Sequence, residues 1–184
     1  MPGKDLRDPH ALLRGMRHTR RFEDRPVSLA AIEEMLAAGR AVGGVDLQVL
    51  DDILVIEELG MTGTFAQSVV GAPLMILVLR DGKDQVNDRH LGSRVNDAVM
   101  LVARRHGLGG GYSWFGAEEA QETARAVIGV QAPTRVVMAI GIGYVDDNPM
   151  PGGSSLERVR AMLESLSGNR NRGAVAGDEG SDQP

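Results

Sequence analysis

Two apolar runs constrain this chain more than anything else in it. Leu74-Met75-Ile76-Leu77-Val78-Leu79 and Val136-Val137-Met138-Ala139-Ile140-Gly141-Ile142-Gly143-Tyr144 carry no charged residue. A strand with one wet face alternates apolar and polar side chains, whereas a strand covered on both faces reads as a continuous apolar run. Each run therefore predicts a buried central strand with other elements packed above and below it. Gly71-Ala72-Pro73 opens the first run and Pro133-Thr134-Arg135 leads into the second.

Segments of helical period supply the covering layers. Asp8-Pro9 can cap and start a helix running through Ala11-Leu12-Leu13 to about Met16. Ser28 caps the next, whose stripe is Leu29, Ile32, Met35 and Leu36 and which ends near Gly43-Gly44. Asp88 to His106 is a long helix with Leu91, Val95, Ala98/Val99 and Val102 on one face and Gly107 as C-cap. Ala117–Ile128 is a further helix, acidic at its start as the helix dipole prefers. Ser154-x-x-Glu157 is a capping box opening a helix with Leu156, Val159, Leu163 and Leu166 on one face. Asp52–Glu57 reads as a strand and Gly111–Phe115 as a strand or extended segment. Residues 59–70 are open between a short helix and a loop, residues 44–51 read as a loop, and Arg80–Asp84 reads as a turn. From Ser167 onward the chain is poor in apolar residues and reads as a disordered tail.

Composition limits the chemistry. A chain of 184 residues is long enough for one domain with a real core, and at 3% aromatics that core rests on aliphatic side chains, Met and Ala. There is no cysteine, hence no thiolate ligand or Cys nucleophile, and His10, His18, His90 and His106 show no metal-ligand spacing. No apolar run approaches the roughly 20 residues of a membrane span, and no signal-peptide core opens the chain. A net charge of −5 argues against a nucleic-acid partner.

Against that acidic background one basic knot stands out, in Met16-Arg17-His18-Thr19-Arg20-Arg21-Phe22. The arginine fork of donors matches phosphate oxygens, so the knot is a candidate anion clamp. A solvated set of ion pairs, or cations placed at the negative end of a helix dipole, accounts for some of the same residues. Gly107-Leu108-Gly109-Gly110-Gly111-Tyr112 is not a dinucleotide fingerprint: it follows a helix, and Tyr112 occupies the last glycine position.

Arg17-x-x-Arg20-Arg21-Phe22 with Pro26-Val27 resembles the N-terminal signature of the FMN-dependent nitroreductase family. Three further segments in order strengthen the resemblance: Gly71-Ala72-Pro73 with its apolar run, Leu101-Val102-Ala103-x-x-x-Gly107-Leu108-Gly109-Gly110, and the strand ending in Ile142-Gly143-Tyr144. It covers about residues 10–160. Asp46-x-Gln48 matches the family's Asn-x-Gln spacing with Asp for Asn and without the following Pro-Trp. Gly152-Gly153-Ser154-Ser155 stands where the family commonly has a basic residue that completes the phosphate site, which leaves Arg17 and Arg20 as main phosphate ligands, with Arg158 or Arg160 as possible helpers.

The resemblance implies an α+β, three-layer α-β-α fold with a mixed, mainly antiparallel sheet, assembled as an intertwined homodimer. Residues 1–166 would form the FMN-binding domain and residues 167–184 the tail. The implied cofactor residues are Arg17, His18 and Arg20 at the phosphate and ribityl end, Gln48 at the ring edge, and Gly110, Trp114 and Phe115 beside the ring. The backbone donor facing flavin N5 falls on Phe115 or Gly116. The implied activity is ping-pong reduction of an electron-poor acceptor, such as a nitroaromatic or quinone, by NAD(P)H in the cytoplasm, with no acid or base residue singled out. Three alternatives stay open: a flavin-binding protein without turnover, an O2-using FMN dehydrogenase, and a cofactor-free scaffolding domain.

Overall fold

The computed structural model describes residues 10, 18–64 and 68–146, all within one compact unit, Met1–Asn148. The expected helix at 8–16 apart from His10, the expected helix at 154–166, Arg17, Arg158, Arg160 and the tail lie outside the described residues.

The described elements are α1 (Leu29–Ala41), β1 (Asp46–Leu50), α2 (Ile53–Thr62), β2 (Leu74–Arg80), α3 (Gln85–Arg105), β3 (Leu108–Trp114), α4 (Glu118–Ile128) and β4 (Arg135–Tyr144). The strands form one sheet in the order β1-β2-β4-β3. All three pairings are antiparallel: Leu47 opposite Val78, Ile76 opposite Ile140, and Tyr112 opposite Ile140 on its other side. The two apolar runs are thus the two inner strands, as their lack of alternation requires.

Each inner strand sends alternate residues to two separate cores. On one face Leu74, Ile76, Val78, Ile140 and Ile142 pack with Ala31 and Met35 of α1 and with Val95, Val99 and Met100 of α3. On the other, Met75, Leu77, Val136 and Ala139 pack with Ile56 and Leu59 of α2 and Ala124 of α4. The result is three layers, helices–sheet–helices, with period-2 burial in the sheet and period-3.6 burial in the helices.

Two elements differ in kind from the sequence expectation, and a third differs in where it starts. Residues 53–57 open a helix rather than a strand. Asp52 caps it, its Oδ1 accepting from the Leu54 N–H at 2.9 Å, and burial of Ile56, Glu57, Leu59 and Gly60 follows the helical period. Residues 46–50 form an edge strand rather than a loop, because Leu47 and Val49 have a core to cover. The long helix begins at Gln85, three residues ahead of Asp88, because Asp84 caps it by accepting from the Asn87 N–H at 3.0 Å.

Candidate functional site

Beyond the C-terminal turn of α3 the chain enters β3 through Gly107, whose φ of +74° is the left-handed conformation glycine tolerates. The glycines that follow have a packing role. A Cβ on Gly110 would meet the Gly141 carbonyl at 2.6 Å and the Met100 sulfur at 2.8 Å. One on Gly111 would drive into the Ser68 carbonyl, and one on Gly143 would come within 2.8 Å of the Phe22 ring. On the face of Gly111 and Gly143, opposite the one to which Gly110 turns, the end of the β3–β4 pair is therefore a floor without side chains, on which segments 18–22 and 68–73 lie directly.

The basic segment lies on that floor as an extended strip. His18 forms a parallel bridge with Gly110, the Thr19 N–H donating to the Gly110 carbonyl at 2.8 Å. Four residues on, Phe22 bridges Val145. Thr19 and Phe22 are buried, which turns His18 and Arg20 outward. Arg21 is used structurally, its Nη2 donating to the Asp146 carbonyl at 3.2 Å, and the Arg25 guanidinium stacks 3.7 Å above the Tyr144 ring. Arg20 is exposed and has no ion-pair partner among the described residues.

A cleft of about 270 Å³ opens beside this junction, lined by His18, Asn96, Asp97, Met100, Gly110, Gly111 and Tyr112. The His18 and Tyr112 rings meet edge to face at 4.6 Å, and Tyr112 meets Trp114 in the same way at 5.8 Å. These rings form a row along the α3 side of the edge strand. Asn96 is 8% exposed, and its Oδ1 has no hydrogen-bond partner. A buried orphan acceptor at a cleft wall favours a ligand that donates there.

A second cleft, of about 260 Å³, follows along the same strand and is lined by Thr64, Asp88, Arg89, Trp114, Phe115, Gly116, Arg135 and Val137. Its backbone is held from behind by Gln121, which is 1% exposed. The Gln121 amide donates to the Phe115 carbonyl at 2.5 Å and the Val136 carbonyl at 2.7 Å, and accepts from the Val136 N–H at 3.0 Å. The Phe115–Gly116 peptide is trans, so its N–H points opposite to its carbonyl. With the carbonyl drawn inward, the Gly116 N–H faces outward at an exposed residue of the cleft wall.

The fold thus brings His18, Gly110, Trp114 and Phe115 along one edge of the sheet, with Arg20 on the exposed side of the strip. It does not bring Gln48 there: β2 and β4 separate β1 from β3. Sequence reasoning missed Tyr112, Asn96 and Gln121. Tyr112 was legible as the residue two before Trp114 on a strand, but a polar residue on a helix gives no sign of being buried.

Among the described residues no group of His, Asp and Glu is placed to hold a metal, and no helix is long and apolar enough to cross a membrane. No family model and no curated protein matches the sequence. Solved structures do match the fold. An FMN-dependent nitroreductase from Clostridium difficile R20291 superposes with a TM-score of 0.66 at 22% identity, over 78% of this chain and 91% of that one. A nitroreductase-type protein from Desulfovibrio desulfuricans, crystallised in complex with FMN, gives 0.63 at 22% identity over 83% and 95%. Nitroreductase A from Vibrio parahaemolyticus gives 0.62 at 16% identity over 91% and 90%. With helices on both faces of an antiparallel sheet, and its basic strip against the glycine-rich edge strand, the chain has the fold of the nitroreductase family.

Proposed function

We propose that this chain is an FMN-dependent oxidoreductase that takes electrons from NAD(P)H and passes them to an electron-poor aromatic or quinone acceptor. The observation that carries the reading is the seating of the basic strip on β3, with His18 and Tyr112 sharing a cleft with the orphan Asn96 oxygen. These residues suit the cofactor. Arg20, exposed and unpaired among the described residues, supplies charge for a phosphate, with Arg17 its expected companion. His18 and Tyr112 offer ring edges along the way to Trp114. Asn96 Oδ1 is an acceptor for an N–H or hydroxyl, and the Gly116 N–H is a backbone donor fixed in direction by Gln121.

Bound FMN would supply a two-electron carrier able to accept hydride from a nicotinamide and release it to an acceptor. The chain's own part is to bind, orient and polarise. The Gly116 N–H is preorganised, since Gln121 fixes the peptide before any ligand arrives. We further propose a cytoplasmic homodimer, in which Gln48, remote from β3 within one chain, reaches a ring edge from a second copy.

The test is the visible spectrum of the purified chain after incubation with excess FMN and desalting, followed by anaerobic addition of NADPH or NADH. Retained flavin absorbance that bleaches on mixing is the expected result. A chain that retains no flavin overturns the proposal, and bound flavin that neither nucleotide bleaches reduces it to flavin binding without turnover.

A further inference from the structure

Two arginines from different elements converge on one carboxylate. Arg125 Nη2, from α4, donates to Glu118 Oε1 at 3.0 Å, and Arg135 Nη1, from the start of β4, donates to Oε2 at 2.9 Å. The two arginine side chains are mostly covered, at 13% and 14% exposure, while that of Glu118 stands in solvent at 60%. The Arg135 stem is packed against Gly82, where an added Cβ would lie 2.9 Å from its Cγ and Cδ. Arg80, opposite Arg135 in the strand register, is matched separately by Asp88 at 2.9 Å. Among the described residues no other carboxylate pairs with Arg125 or Arg135. Two cations against one anion leave the group with a net positive charge.

We propose that Arg125 and Arg135 form a subsite for a phosphate monoester dianion, a subsite that Glu118 fills in the free chain. The chemistry favours the exchange. A phosphate offers more oxygens to the two guanidinium forks than a carboxylate does, and its second negative charge balances the second arginine. Glu118 is exposed and returns to water easily, whereas the covered arginine stems keep their donors in place. The proposal rests on the oxidoreductase reading and deepens it, because Arg135 also lines the second cleft. That cleft, at about 260 Å³, falls below the roughly 300–1,000 Å³ of pockets that enclose drug-sized ligands. A dinucleotide whose nicotinamide end enters it therefore leaves its adenosine end outside, within reach of a site at the cleft wall. The ribose 2′-phosphate of NADPH, which NADH lacks, is the group that matches the arginine pair, so the pair selects NADPH. Free inorganic phosphate shares the chemistry and is the other source of such an anion.

The full chain is titrated calorimetrically with NADP+ and with NAD+, which differ only in that phosphate and cannot deliver hydride. The expected result is about tenfold tighter binding of NADP+ at low salt, weakening as salt is raised. Saturating inorganic phosphate should bring the two affinities to within about twofold of each other. Glu118→Gln removes the competing charge at nearly constant size and should widen the preference about threefold or more. If Glu118 served only to hold the arginines in place, the same change would narrow it. Arg125→Gln and Arg135→Gln should each abolish the preference, and Glu118→Gln covers the case in which they fail to fold. Equal affinities for the two dinucleotides in the native chain, or a preference that narrows in Glu118→Gln, would overturn the proposal. Heat from inorganic phosphate without any preference for NADP+ overturns the dinucleotide assignment and leaves free phosphate as the ligand. Visible spectra of the same samples after incubation with FMN separate the two readings: absent flavin overturns the oxidoreductase assignment, whereas a missing NADP+ preference overturns only this subsite.

Discussion

Arg20 and Arg21 are neighbours in sequence with different surroundings, and the difference lies in their backbones. Arg21 exchanges hydrogen bonds with Asp146, its carbonyl accepting from the Asp146 N–H at 3.3 Å and its Nη2 donating back to the Asp146 carbonyl. Arg20 faces out. Arg20→Ala should therefore leave the fold within about 0.5 kcal/mol of the parent, as for most surface changes. The same change should weaken FMN binding about tenfold or more, the worth of one charge-assisted hydrogen bond. Thermal melts and flavin-fluorescence titration check the two halves. Undiminished FMN affinity would remove Arg20 from the phosphate site. The sequence made the arginines legible as a cluster but not their division of labour, which depends on which residues of an extended strip point inward. Gln121 is the converse case. On its helix it reads as one more polar residue, yet it satisfies three backbone groups. Gln121→Leu leaves those groups buried and unpaired and should cost about 3 kcal/mol, read from denaturant unfolding. A loss below about 1 kcal/mol would mean that the peptide does not depend on this amide.

At the scale of elements, the inner strands were legible because a six-residue apolar run has few other uses. The shorter run at 52–57 was not, since a buried strand and the first turns of a helix share the same composition there. The Asp52 cap was the decisive signal, and reading Asp52 as a strand end concealed it. Residues 46–50 were obscured differently: matching Asp46-x-Gln48 to a loop drew attention from Leu47 and Val49, which pack toward α1 and α3. The glycines of β3 were legible as a motif but not as a floor, because the close approach comes from Ser68 and Thr19, remote in sequence. Gly111→Ala tests that account. The added methyl meets backbone rather than a flexible side-chain end, so segment 68–71 has to move and stability should fall by about 1–3 kcal/mol. Chemical denaturation at neutral pH measures it. A neutral outcome would show that the segment can lift from the sheet without loss.

For the molecule as a whole, stability should carry a pH dependence set by one carboxyl group under that segment. Glu57 in α2 accepts from the Gly71 N–H through Oε1 at 2.5 Å, while Oε2 is buried without a partner. Burial raises the Glu57 pKa above the ordinary value of 4.5, and the Gly71 hydrogen bond opposes this only in part. The folded chain then holds this proton more tightly than the unfolded chain does. Its contribution is complete below pH 4.5 and is lost as the pH rises through the raised folded value. Glu118 and Asp81 act in the opposite sense. Their pKa values are lowered, by hydrogen bonds from Arg125 and Arg135 and from Lys83 respectively, so their contributions fall away only as the solution becomes more acid than their ordinary values. The two windows therefore lie on opposite sides of about pH 4.5. Glu57→Gln keeps an acceptor for the Gly71 N–H and removes the titration. The variant should melt higher than the parent at pH 7–8, and the gap should close as the pH approaches 4.5. Paired melts across that range decide it, because a gap that stays constant, or a parent that is the more stable at pH 8, would mean that Glu57 is solvated well enough to ionise in place.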